Sequence, residues 1–101
     1  REVCVGNFRV RPSQVEINSV KINSLQIIEI DNKGPLFAKG VKPGDHILDI
    51  NENAASWRNL KNALSFASPN DQINLKIFSG ESIKKVEVIA VPVEMANLEV
   101  L

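Results

Sequence analysis

One histidine, His46, stands beside Asp45 and three residues before Asp49, and it is the one side chain here suited to shuttle a proton between a nucleophile and a leaving group. No other residue in the sequence supports it in that role, so the simpler assignment is a partly exposed histidine at the start of a strand. Cys4, the single cysteine, becomes a thiol nucleophile only if His46 reaches it in space; a small strand residue is the plainer reading. One cysteine excludes an internal disulfide and any cysteine-based zinc site, and one histidine leaves no pair for a histidine-rich metal cluster. Glycines at 34, 40 and 44 do not form a phosphate cradle, because the stretch lacks both G-x-x-x-x-G-K-[ST] and G-x-G-x-x-G. They punctuate turns instead. The carboxylate pairs Asp45/Asp49 and Glu94/Glu99 have no partners visible in the sequence and read as solvated surface. No cofactor, metal or catalytic residue is expected, and the function expected is recognition.

Twelve Lys/Arg balance twelve Asp/Glu, with the two signs interspersed, so there is no basic stripe to neutralise phosphates and nucleic acid is excluded as a partner. At 101 residues with 44% hydrophobic content, the chain can bury one modest core. No apolar run approaches the roughly 18 residues that span a bilayer. The first residue is Arg1, with no charged-then-apolar leader, and the chain reads as a piece of something longer.

The elements that must position any binding surface are mostly strands, since apolar residues recur with period two. Val3, Val5 and Val10 predict a first strand that ends at Arg11-Pro12-Ser13, because Pro12 cannot donate to a ladder. Val15, Ile17, Val20 and Ile22, then Leu25, Ile27, Ile28 and Ile30, predict a hairpin around a polar turn at Asn23-Ser24, with a bulge at Asn18-Ser19. Pro35 suits the first position of a short helix and Gly40 its left-handed stop. Pro43-Gly44 turns the chain into a short buried strand of Ile47, Leu48 and Ile50. Ser56 is a good N-cap for a helix over 57–67, where Leu60, Ala63, Leu64 and Ala67 share one face. Pro69-Asn70-Asp71 closes that helix; Ile73, Leu75 and Ile77 alternate; Ser79-Gly80 turns; and 83–90 forms the last strand, with Pro92 ending the regular part. Strands and helices do not alternate regularly, so the fold class expected is α+β, mainly β: a small, mostly antiparallel barrel or sandwich capped by two helices. Such a sheet leaves an edge whose N–H and C=O groups can take on an added peptide strand.

The run G-P-L-F-A-K-G-V-K-P-G-D-H-I-L-D-I-N from Gly34 to Asn51 resembles the centre of a PDZ domain, where a short helix leads through a Gly-Asp turn into a central strand. Leu60 and Leu64 fall where the second PDZ helix packs, and Pro69-Asn70-Asp71 is similar to the P-G-D turn of bacterial members. The resemblance runs from Leu25 to Val91. It implies a partial barrel of five or six strands with two helices, binding an extended peptide, often a C-terminus, between the second strand and the second helix.

Carried onto this sequence, the resemblance implies a groove wall at Val15, Glu16 and Ile17, with Ser13 and Gln14 leading into it, and a facing helix presenting Trp57, Lys61 and Leu64. Trp57 offers a flat anchor for a ligand side chain, and Lys61 can read an acidic ligand residue. The glycine-rich loop that holds a ligand carboxylate in this family has two possible counterparts, Pro12-Ser13-Gln14-Val15 or Val5-Gly6-Asn7-Phe8. Counting strands favours the first, because it leaves a complete hairpin. Pro12 then removes an N–H donor, which favours internal segments over strict C-termini. Residues 35–41 and 11–15 also resemble the PDZ-like domain of the type II secretion C component, while Trp57 and Pro69 are similar to PDZ domains of site-2 metalloproteases, and HtrA-type proteases carry comparable central runs.

The expectation is a noncatalytic peptide-binding domain over 1–92 with a tail over 93–101, part of a larger bacterial envelope protein, a protease or secretion component, and periplasmic. The alternative is an assembly domain whose groove is closed and packs against its own parent. A monomer is expected, with self-association possible through Glu99-Val100-Leu101, which resembles a PDZ ligand.

Overall fold

Alternating apolar residues pair into strands wherever they can share a buried face, and here they do so entirely in the antiparallel sense. The structure, a computed structural model, describes residues 3–92. Its elements in chain order are β1 (Val3–Cys4), β2 (Phe8–Ile17), β3 (Val20–Ile30), α1 (Pro35–Ala38), β4 (His46–Ile50), β5 (Asn53–Ala54), α2 (Trp57–Phe66), β6 (Gln72–Phe78), β7 (Ile83–Ile89) and β8 (Val91–Pro92). The main sheet runs β2-β3-β4-β6-β7, with β5 paired to β4, and β1 pairs separately with β8. Six strands in one antiparallel sheet with two helices make an α+β fold, mainly β. The tail expected over 93–101, with Glu94, Glu99 and the Glu99-Val100-Leu101 terminus, lies outside the described residues.

The core is aliphatic. Leu25 and Ile27 of β3, Ile47 and Ile50 of β4, Ile73 and Ile77 of β6 and Val88 of β7 are all nearly inaccessible to solvent, closed by Leu36 from α1 and Leu60 from α2. Gly34 caps α1, Pro35 takes its first position, and Gly40 at φ +89° ends the turn beyond it. Ser56 Oγ accepts from the Asn59 N–H at 3.0 Å, which fixes the start of α2. Ala67 is already extended, so the helix stops one residue short of the sequence expectation. At Pro69-Asn70-Asp71, Asn70 adopts φ +77° in place of a glycine, and the turn is tied to the end of the sheet by Asn70 N–H donating to Ala90 O and Ala90 N–H donating to Asp71 O.

The first hairpin corrects the sequence reading. The turn lies at Asn18-Ser19, both at positive φ, with Ile17 opposite Val20, which is a two-residue loop of the kind that suits strand twist. Asn23 and Ser24 are ordinary strand residues opposite Gln14 and Ser13, and the Gln14 side-chain amide donates to Asn23 Oδ1 at 3.0 Å. Pro12 does not end a strand either; it sits within β2, an edge strand, where a missing donor is tolerated. The bulge expected at Asn18-Ser19 is thus the turn, and the polar Asn23-Ser24 pair marks a change of face instead. Phe8, Val10, Leu25 and Ile27 pack on the core, whereas Val15, Ile17, Val20 and Ile22 have the other parity and lie on the opposite side of the hairpin.

Candidate functional site

Glycine at position 6 allows β1 to turn sharply into β2. Gly6 has φ +101°, and a Cβ built on it would stand 2.9 Å from the Cα of Gly34, so two glycine backbones touch where any side chain would clash. The loop is fastened on both sides: the Leu36 N–H donates to Val5 O at 3.1 Å and the Asp31 N–H donates to Asn7 O at 2.8 Å. It therefore presents Gly6, Asn7 and Phe8 from a fixed base formed by α1 and the end of β3.

Across from this loop, α2 turns one flank outward. Trp57, Lys61 and Leu64 recur at helical spacing, and together with Gly6, Asn7, Phe8 and Leu60 they line a pocket of about 170 Å³. Leu60 is buried and forms its floor, Leu64 is half-buried, and Trp57 remains 58% exposed at the rim. The arrangement offers an apolar floor, one cation and a flat aromatic beside β2. Among the described residues β2 pairs with β3 alone, so its other edge is free to take a further strand.

The structure thus brings Trp57, Lys61 and Leu64 together, but against a different segment from the one expected. Ser13, Gln14, Val15, Glu16 and Ile17 lie farther along β2 in the projecting half of the hairpin, and none of them lines the pocket. Val15 is seven residues beyond Phe8, roughly 23 Å along a strand. The difference follows from the hairpin: a turn at Asn23-Ser24 shortens it and points to Pro12–Val15 as the loop, whereas the turn at Asn18-Ser19 places Pro12–Val15 within β2 and leaves Gly6 in the turn before it. The alternative register, Val5-Gly6-Asn7-Phe8, retains a glycine and contains the residues that line the pocket, Gly6, Asn7 and Phe8.

His46 and Asp45 serve the fold. The Ser24 hydroxyl and His46 Nδ1 are 2.9 Å apart within the sheet, and burial, assisted by Arg11 and opposed by Asp45, lowers the His46 pKa below 6.5. Asp45, 3% exposed, accepts from the Lys42 N–H through Oδ2 at 3.1 Å and so braces the Pro43-Gly44 turn. That turn is held to β3 by Gly44 N–H donating to Ile27 O and Ile27 N–H donating to Asp45 O, each at 2.8 Å.

A glycine turn beside an open edge strand, with a helix across the gap, is the arrangement the central Gly34–Asn51 run anticipates. The sequence matches the PDZ domain family over residues 8–90. The chain belongs to the PDZ family. This PDZ domain is a protein-interaction module, and domains of its kind are generally noncatalytic, with a peptide or protein as partner. No curated protein matches the chain by sequence. Among solved structures it is similar to an aminopeptidase N family protein from Idiomarina loihiensis, with a TM-score of 0.65 and 16% identity. The match covers 85% of this chain and 13% of that one, and at this identity the likeness shows the fold alone. Among the described residues, no helix of this PDZ domain is long and apolar enough to cross a membrane.

Proposed function

We propose that this PDZ domain binds the C-terminal segment of a partner as an added strand along Phe8–Val10 of β2, with the ligand's last residue in the pocket between Gly6–Phe8 and α2. The observation that carries this reading is the convergence of the Gly6 turn with Trp57, Lys61 and Leu64 beside an unpaired strand edge. A terminal carboxylate meets the backbone of the Gly6–Phe8 turn, an apolar terminal side chain packs on Leu60 and Leu64, Lys61 selects an acidic ligand residue, and Trp57 supports a ligand side chain nearer the start of the helix. Ser13–Ile17 take no part in this groove. Affinity is expected to be weak, since a short strand held by few side chains must offset the ordering of an extended peptide.

The wider setting is part of the same proposal: a PDZ domain over 1–92 with a tail over 93–101, carried by a larger bacterial envelope protein that is a protease or secretion component and works in the periplasm. Support comes from the Gly34–Asn51 run and the Pro69-Asn70-Asp71 turn, which are similar to bacterial PDZ domains, and from a solved structure of this fold that is a segment of an aminopeptidase N family protein.

The test is an amide-shift titration with free-carboxylate peptides and their amidated counterparts. Shifts at Gly6–Phe8 and Trp57–Leu64 with free carboxylates alone establish a reader of C-termini. Equal shifts from amidated peptides mean internal segments are bound. No response at millimolar peptide overturns the proposal in favour of a closed assembly domain.

A further inference from the structure

The peptide groove uses one flank of α2; the other flank borders a separate and larger groove of about 590 Å³, within the ~300–1,000 Å³ usual for small-ligand clefts. Asn59, Asn62 and Phe66 recur along that flank at helical spacing, roughly opposite Trp57, Lys61 and Leu64 around the helix axis. The facing wall is the β4–β5 turn, with Asn51 and Asn53, and the start of β6, with Gln72.

The chemistry of this wall is uniform. Each Asn and Gln side chain carries both acceptor lone pairs and two N–H donors. Several are already fixed: Asn51 Oδ1 accepts from the Asn74 N–H at 2.9 Å, Asn59 Nδ2 donates to Ala54 O at 2.6 Å, and Gln72 Nε2 donates to Asn74 Oδ1 at 2.7 Å. Each bond spends only part of the side chain's capacity and orients the rest. The Asn51 amide N–H groups, Asn59 Oδ1 and Gln72 Oε1 are left over, and the side chains of Asn53 and Asn62 make no bond among the described residues. Donors and acceptors are thus interleaved on a rigid frame. Asp71, which accepts from the Ser68 N–H, is the one ionisable group lining the groove, so it holds no cation to attract a phosphate or carboxylate.

At the end of the same flank stands Phe66, 85% exposed, the most exposed of the large hydrophobic side chains described. Core contacts of α2 come from Leu60, Ala63 and Leu64, with Ala67 just beyond its end, so Phe66 gains little from folding. An aromatic ring beside interleaved amides suits a ligand that has an apolar C–H face and, at its margins, hydroxyls that both donate and accept. We propose that this groove binds a neutral saccharide of more than one ring, with one pyranose ring lying on Phe66 and the hydroxyls of the rings along the groove bonded to Asn53, Asn59, Asn62 and Gln72. A peptide has little to pair with here, because β7 pairs with β6 along its whole length and β4 from Leu75 onward, which leaves only Gln72 and Ile73 with an open side, too short a stretch for strand addition.

The experiment is an amide-shift titration of the whole chain with maltotriose, cellotriose and chitotriose, with triglycine as an amide-bearing control lacking a ring. Saturable shifts are expected with at least one trisaccharide, confined to residues 51–53, 59–67 and 71–73, leaving the Trp57 indole resonance unmoved. Phe66→Ala and Asn62→Ala, both at exposed positions and each expected to remain folded, should each weaken that binding by about tenfold. The proposal is overturned by no saturable shift from any of the three sugars up to about 50 mM, a concentration that reveals even very weak sites. It is equally overturned if triglycine produces the same shifts or if affinity is unchanged in both variants.

Discussion

Gly6 meets two demands that no other residue type can satisfy together, a backbone at φ +101° and an approach to Gly34 that leaves no room for a Cβ. Gly6→Ala is therefore expected to lower the unfolding free energy by about 1–3 kcal/mol, read from urea midpoints, and to weaken peptide binding with it. An unchanged midpoint would show that the two glycines are not in contact. Lys61 makes a cleaner test of selectivity because it is exposed and its side chain makes no hydrogen bond or ion pair among the described residues. Lys61→Glu should reverse a preference for acidic over basic ligand peptides by a factor of about 3–10, measured by titration, with stability unaltered. His46 yields a prediction about pH. Burial, with Arg11 acting in the same direction, holds its pKa below 6.5, so the unfolded chain takes up the proton first as pH falls. This contribution to stability is complete above 6.5 and is lost as the pH drops through the folded-state value. Unfolding midpoints should fall on acidification through that window in the native chain and fall less in His46→Gln.

Helix α2 is the element on which both proposed grooves depend, and its start is set by one bond, Asn59 N–H to Ser56 Oγ. Ser56→Ala should cost about 1 kcal/mol and loosen the first turn, visible as faster amide exchange at residues 57–60. This element was legible in the sequence because two independent signals agree, a capping serine and an apolar face at Leu60, Ala63, Leu64 and Ala67. The β2–β3 hairpin was not, for a physical reason. A break in period-two alternation has two meanings, a turn or a change of buried face, and composition at Asn23-Ser24 favours the turn while geometry selects the change of face. The reversal at Asn18-Ser19 lacks the glycine that usually marks such loops. That turn placement favoured Pro12–Val15 as the carboxylate loop, whereas the turn at Asn18-Ser19 puts those residues within β2 and leaves Gly6–Phe8 as the segment proposed here. The shared flank of Trp57, Lys61 and Leu64 was legible because its spacing depends on α2 alone, whereas the strand that faces it depends on register across a long hairpin.

At the scale of the molecule, the sheet divides into a core-bearing body and an arm. The described residues measure 42 × 24 × 19 Å along their principal axes, and β2 alone, at ten residues, spans roughly 30 Å. Core residues of the two strands end at Val10 and Leu25; beyond them Val15, Ile17, Val20 and Ile22 lie on the opposite face, outside the buried cluster. A two-stranded ribbon with one apolar face contributes little stability by itself. Replacing residues 14–23 by Asn-Gly, so that the Ser13–Ser24 pair closes directly into a two-residue loop, should therefore leave the body folded. Unfolding should stay cooperative, with a melting temperature within roughly 5–8 °C of the full chain, a loss of about 1 kcal/mol in a domain of this size. Peptide binding at Gly6–Phe8 and Trp57–Leu64 should persist in the shortened chain, since no residue removed lines that pocket. This last measurement separates the two placements of the groove: if the strand wall were Val15–Ile17, excision would abolish binding while the fold remained, and with Phe8–Val10 as the wall the affinity stays within about threefold.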